Sequence, residues 1–174
     1  MTLTFSHHFQ HQPWLKLRPL PHSIAAAPWR QWLLDKGSLT QRLKALDGQF
    51  SVDVISTRYG RPHLSEARLL GIHPRMQVYI REVALCINNQ PVVKARSIIP
   101  RSTLTGLERQ LLWLKDKPLG EFLFRHHNMR RGPIEVKLGK LHGEQVWGRR
   151  SCFYVNRKPI LVGEWFLPAL IDYS

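Results

Sequence analysis

The 174-residue sequence predicts a single α+β domain, with roughly six strands in a mostly antiparallel sheet and helices packed on one side. Three observations lead there. The length suits one hydrophobic core. Hydrophobic residues make up 43% and charged residues 22%, the balance of a folded globular protein. The apolar period changes from helical to two-residue near Ser51, and later strand-like runs are separated by tight turns or one helical stretch. Strands joined that way pair antiparallel.

The elements follow in order. Residues 1–27 form a Pro/His-rich N-terminal segment, and residues 28–174 form the domain. Pro28 suits the first helical turn, and Trp29, Trp32 and Leu33 fall on one helical face until Gly37 stops the run. Ser38-Leu39-Thr40-Gln41 reads as a capping box that opens a second short helix carrying Leu39, Leu43 and Leu46. A strand begins at Ser51. The segment from Arg61 to Arg75, with two prolines and a glycine, reads as a covering loop or flap. Val78–Ile87 and Val92–Ile99 form a hairpin through Asn88-Asn89-Gln90, because Asn tolerates positive φ. Thr105-Gly106-Leu107-Glu108 reads as a second capping box, and Pro118-Leu119-Gly120 introduces a helix with Phe122, Leu123 and Phe124. Strands Ile134–Leu138, Gln145–Val155 and Ile160–Leu167 close the chain, with a turn at Asn156-Arg157-Lys158-Pro159.

Composition bounds the function. Lys and Arg total 26 against 12 Asp and Glu, a net charge of +14 that raises the expectation of an anionic partner. The charge is dispersed from Arg18 to Lys158 rather than gathered in one arm, which suits a solvated surface better than a nucleic-acid stripe. The expectation is therefore a small-molecule ligand, no obligate nucleic acid, and at most weak association with anionic membrane surfaces. No lysine or arginine precedes Lys16, so the start does not read as a signal peptide, and a cytoplasmic protein is expected. Apolar runs are far shorter than the ~20 residues of a membrane span. Cys86 and Cys152 each lie in a strand-like run and read as buried, reduced thiols.

No histidine or cysteine cluster has zinc-like spacing, no glycine-rich phosphate loop precedes a helix, and no Gly-x-Ser-x-Gly elbow is present. Trp29, Trp32, Trp147 and Trp165 fall at core-like positions and are expected to pack rather than stack on bases. The distinctive signal is charge inside apolar strands. Period two places Arg81 with Tyr79, Val83, Leu85 and Ile87, and Glu164 with Ile160, Val162 and Phe166. Arg96 sits similarly between Val92 and Ile98. A lone buried charge costs several kcal/mol, so each needs a partner or a ligand. Periodicity leaves two readings open: a structural salt bridge of Glu164 with Arg81 or Arg96, or a site for an anion that an arginine fork can grip at two points.

A series of short blocks then resembles the chorismate pyruvate-lyase family. They are Trp32-Leu33-Leu34 with Ser38-Leu39-Thr40, Tyr79-Ile80-Arg81-Glu82-Val83 with Cys86, and Ile98-Ile99-Pro100 with Ser102-Thr103-Leu104. Lys117-Pro118-Leu119-Gly120 with Leu123-Phe124 follows, then Trp147-Gly148-Arg149-Arg150-Ser151, Lys158-Pro159, and Glu164 ahead of Phe166-Leu167-Pro168-Ala169. The blocks keep their order from Trp32 to Ala169.

The resemblance implies an enzyme that splits chorismate into 4-hydroxybenzoate and pyruvate, the entry step to the ubiquinone ring. It further implies helical flaps over a buried site and no metal or organic cofactor. A pocket that grips its aromatic product almost as well as the substrate is expected to release it slowly, and a monomer is expected. The family's ring-carboxylate arginine falls on Arg81, and its acid that meets the ring hydroxyl falls on Glu164. Two contacts made largely through the backbone fall on Leu39, where a methionine is expected, and Leu119. Arg96 is a candidate to neutralise the enolpyruvyl carboxylate or orient Glu164. The competing expectation is a non-catalytic sensor, since effector-binding domains of some bacterial repressors share such a sheet. The first thirty residues read as too short and proline-rich for a helix-turn-helix, which disfavours it.

Overall fold

The computed structural model describes residues 13–16, 27–141 and 143–173. Most of the Pro/His-rich segment therefore lies outside the described residues. Strands run β1 (Leu15–Lys16), β2 (Phe50–Gly60), β3 (Val78–Ile87), β4 (Gln90–Pro100), β5 (Arg130–Arg131), β6 (Glu135–Leu141), β7 (Glu144–Val155) and β8 (Lys158–Phe166). Helices are α1 (Ala27–Leu34), α2 (Leu39–Lys44), α3 (Leu64–Leu70) and α4 (Leu119–Arg125), and Gly106–Trp113 and Pro168–Tyr173 are 3₁₀ turns.

The eight strands form one sheet in the order β1-β6-β7-β8-β4-β3-β2, with β5 paired to β7, and every pairing is antiparallel. The six longer strands match the expected ones. The two additions, β1 and β5, are two residues each and carry too little pattern to read from sequence. Asn88 and Asn89 adopt φ of 48° and 64°, and Asn156 and Arg157 adopt 51° and 66°, so both hairpins use turns with left-handed central residues. Such turns match the right-handed strand twist and fix the register of β3 on β4 and of β7 on β8.

Local chemistry sets the helices. Ser38 Oγ accepts from the Gln41 N–H at 3.3 Å and caps α2. The expected second capping box does not form. The Thr105 hydroxyl instead donates to the Ser102 carbonyl, and Glu108 is drawn to Lys158 and Asn156, so the segment winds as a 3₁₀ turn. The stretch expected as a flap contains α3. The His63 N–H donates to Glu66 Oε2 at 2.8 Å, and Gly71 closes the helix at φ 66°.

Helices cover both faces of the sheet rather than one. On the reverse face, α3 lays Leu70 against Val78, Ile80, Ile98, Cys152 and Leu161. On the front face the core divides into two clusters. Trp32, Leu33, Leu39 and Leu43 pack on Val83, Leu85, Val93 and Phe166. Leu111, Leu119, Phe122 and Leu123 pack on Tyr79, Ile99, Phe153, Ile160 and Val162. Charged side chains occupy the seam between them.

Candidate active site

That seam is a cavity whose empty space, open mouth included, is about 540 Å³. Its floor is sheet. Arg81, Ser97, Val162 and Ser151 form one cross-strand row from β3 through β4 and β8 to β7. Val83, Ala95, Glu164 and Arg149 form the next. Ser97 and Ala95, the small residues that β4 contributes to the two rows, leave room above the sheet beside the charges. Gly37, Leu39 and Thr40 from the start of α2, and Pro118, Leu119, Gly120, Leu123 and Phe124 from α4, form the cover. The two helices meet closely at Gly120, where a Cβ would lie 2.6 Å from Thr40 Oγ1. Only glycine lets them touch there.

Arg81 is 2% exposed, and its guanidinium donates to the carbonyls of Lys115 at 2.8 Å and Lys117 at 2.9 Å. These bonds tie β3 to the loop that leads into α4. Its Nε is buried without a partner among the described residues, and no carboxylate pairs with it there. Burial lowers its pKa, only partly offset by the nearby acidic groups Tyr79 and Asp116. A buried guanidinium with an unsatisfied donor is an incomplete structure by itself, and an incoming carboxylate would complete it.

Glu164 also lines the cavity, and its partner is neither Arg81 nor Arg96. Arg149, 1% exposed, donates through Nε to Glu164 Oε2 at 2.5 Å. The same guanidinium donates to the carbonyls of Trp32 at 2.6 Å and Asp35 at 2.7 Å, which holds the end of α1 against β7. One carboxylate oxygen is thus fixed, and no hydrogen bond occupies the other among the described residues.

Of the five expected ligand contacts, Leu39, Arg81, Leu119 and Glu164 all line this cavity. Arg96 does not. It lies on the reverse face, where it binds Glu66 at 2.8 Å and Glu82 at 2.5 Å beneath α3. The reason is parity: Arg96 is paired across the strands with Glu82, one position out of step with Arg81. Two arginines that sequence reasoning passed over take part instead. Arg149 shares a face of β7 with Ser151, Phe153 and Val155, so the buried-charge test that singled out Arg81 would have found it. Arg131, on the two-residue β5, offers no period to read.

Comparisons with known proteins place the chain in a family. The family model described as chorismate lyase matches residues 10–173. A protein of Methylococcus capsulatus named probable chorismate pyruvate-lyase is 39% identical over 154 residues, covering 81% of this chain and 95% of its own. One of the same name from Aromatoleum aromaticum is 34% identical over 177 residues, covering 92% and 95%. Solved structures share the fold at low identity. The effector domain of PhnF from Mycobacterium smegmatis has a TM-score of 0.55 at 12% identity over 76% of this chain and 90% of its own. The possible transcriptional regulator YydK from Bacillus subtilis has 0.54 at 17%, over 71% and 61%. With its family model matched almost end to end and close relatives covered nearly whole, the chain belongs to the chorismate lyase family.

Proposed function

We infer that the protein converts chorismate to 4-hydroxybenzoate and pyruvate. The observation that carries the reading is the pairing, in one enclosed seam, of an arginine lacking a carboxylate with a glutamate held by a different arginine. Arg81 receives the ring carboxylate on the N–H groups of Nε and Nη1, which the Lys115 and Lys117 carbonyls leave free. Glu164, oriented by Arg149, accepts the hydrogen bond of the ring hydroxyl. Leu39 and Leu119 enclose the ring from the helical side.

The reaction needs little from the protein beyond posture and charge. The ether C–O bond to the ring breaks, the ring loses the proton from its hydroxyl-bearing carbon, and the enolpyruvyl methylene gains one to give pyruvate. Aromatisation drives this, and direct transfer of the proton to the leaving group requires no separate base. The enzyme's share is to fix the reactive conformer and stabilise charge on the departing oxygen in a site closed to bulk water. Because α2 and α4 touch over the cavity, product leaves only as they part, so release is expected to be slow. The cavity is completed within one chain, which suits a monomer, and two unpaired buried thiols suit the cytoplasm. With a net charge of +14, attraction to anionic membrane surfaces is weak and salt-dependent, and no nucleic acid is needed.

Incubating the protein with chorismate and following 4-hydroxybenzoate absorbance tests the reading directly. Arg81→Ala should cost at least ~2 kcal/mol in kcat/KM, since a buried, charge-assisted contact is lost. An inert wild-type protein overturns the activity, and an Arg81→Ala variant with wild-type turnover overturns the role of Arg81.

A further inference from the structure

The cavity is lined by three guanidiniums and one carboxylate. The charge of Arg149 is paired with Glu164, and its Nη1 donates to two carbonyls, which leaves Arg81 and Arg131 without a carboxylate partner within the seam among the described residues. Arg131 reaches the site from the edge of the sheet. Its Nε donates to Ser151 Oγ at 3.1 Å, and a terminal nitrogen donates to the Asp35 carbonyl at 3.2 Å. Its guanidinium lies 5.0 Å from the Phe153 ring centre, within cation–π range. No carboxylate pairs with it among the described residues, and that of Asp35 is turned toward Gly37 and Arg42. Among the described residues two of its five N–H groups are used, both in long bonds to neutral acceptors. Burial and the like charge of Arg149 bring its pKa down to about 10, against the pull of Glu164 and Asp35.

The placement of the two unmatched arginines is informative. Arg81 begins the row Arg81-Ser97-Val162-Ser151, and Arg131 is bonded to the serine that ends it. Three strand spacings separate the ends, about 14 Å between Cα atoms, and both arginines line the same cavity as Ser97 and Val162. A monocarboxylate needs one of them. A ligand with two carboxylates answers both.

We propose that Arg131 is the second carboxylate anchor, gripping the enolpyruvyl carboxylate of the substrate and so distinguishing the dianion from the monoanionic product. This rests on the chorismate reading. The carboxylate held by Arg131 departs with pyruvate, so the contact contributes to substrate binding and to the transition state and nothing to retention of 4-hydroxybenzoate. Arg81, on the ring carboxylate, serves both molecules alike.

The test is a split between two readouts. In Arg131→Gln, kcat/KM for chorismate should fall at least about 30-fold, the scale of one charge-assisted contact, while Kd for 4-hydroxybenzoate stays within about twofold. Arg131→Lys, which keeps the charge and loses the fork, should show the same split to a smaller degree and serves if the glutamine variant is unstable. Arg81→Lys should weaken both. Parallel loss of substrate and product affinity would make Arg131 a structural residue and overturn the proposal, as would unchanged kcat/KM. If the wild-type protein binds chorismate without turning it over, the activity falls, and calorimetric affinities for chorismate and 4-hydroxybenzoate decide the Arg131 assignment by the same split.

Discussion

Arg149 and Glu164 are cross-strand partners whose roles differ although their charges cancel. The arginine is buried on every side and also fastens two carbonyls at the end of α1, whereas the glutamate keeps one oxygen toward the cavity. Removing the arginine alone strands a carboxylate in an apolar seam. Arg149→Met is therefore expected to lower stability by about 3 kcal/mol, measured as a shift in the urea midpoint at unchanged slope. Adding Glu164→Gln should return part of that stability, because the stranded charge is gone, without restoring turnover. Equal stability of the single and double variants would show that the bonds to α1, and not the ion pair, carry the cost. Legibility at this scale followed burial pattern. Arg81 and Glu164 stood out because each interrupts a long apolar strand, and parity placed them on one face. The same parity put Arg96 on the other face, where α3 supplies Glu66. The sequence contains no sign of which face will receive a ligand until the helices that cover it are known.

The layer formed by α3 shows what a single element contributes and why it was hard to foresee. Its start uses His63 where Ser, Thr, Asp or Asn would have signalled a cap, so only Glu66 and Gly71 marked the helix, and the prolines beside it suggested a loop. Its effect is to carry Glu66 over Arg96, which in turn bonds Glu82, itself bonded to Arg58 and Ser56. Burial raises the pKa of Glu82, but hydrogen bonds from Arg58, Ser56 and Arg96 outweigh it, and the net shift is below its ordinary 4.5. A carboxylate with a lowered folded pKa binds fewer protons folded than unfolded near that value. Its contribution is complete above the unfolded pKa and is lost as pH falls through the folded one. Unfolding free energies of the wild type and Glu82→Gln, measured by urea from pH 7 down to about pH 3, should thus converge as pH drops. A constant gap between the two proteins across that window would mean that Glu82 contributes by shape and hydrogen bonding alone. The hairpins, by contrast, were plain in the sequence, because Asn88-Asn89 and Asn156-Arg157 hold the backbone conformation that the turns demand.

At the scale of the whole molecule the net charge of +14 was evident from composition, and its use was not. Much of it is solvated, but the seam itself keeps Arg81 and Arg131 without carboxylate partners among the described residues, so the excess extends into the site. A positive surface that leads to a positive cavity raises the local concentration of an anionic ligand and speeds its encounter. The attraction acts over a Debye length and weakens as salt shortens that length from about 20 Å toward about 6 Å. It also scales with ligand charge, so the dianionic substrate should feel it more than the monoanionic product. The expected result is that kcat/KM for chorismate falls several-fold between about 20 and 300 mM KCl. The association rate of 4-hydroxybenzoate, followed by stopped-flow quenching of tryptophan fluorescence, should fall with roughly half the logarithmic slope. Dissociation, which depends on α2 and α4 parting and not on long-range charge, should stay nearly constant. Equal slopes for the two ligands would place the salt effect on the protein's conformation instead of on encounter, and a flat kcat/KM would mean that the surface charge serves no steering role.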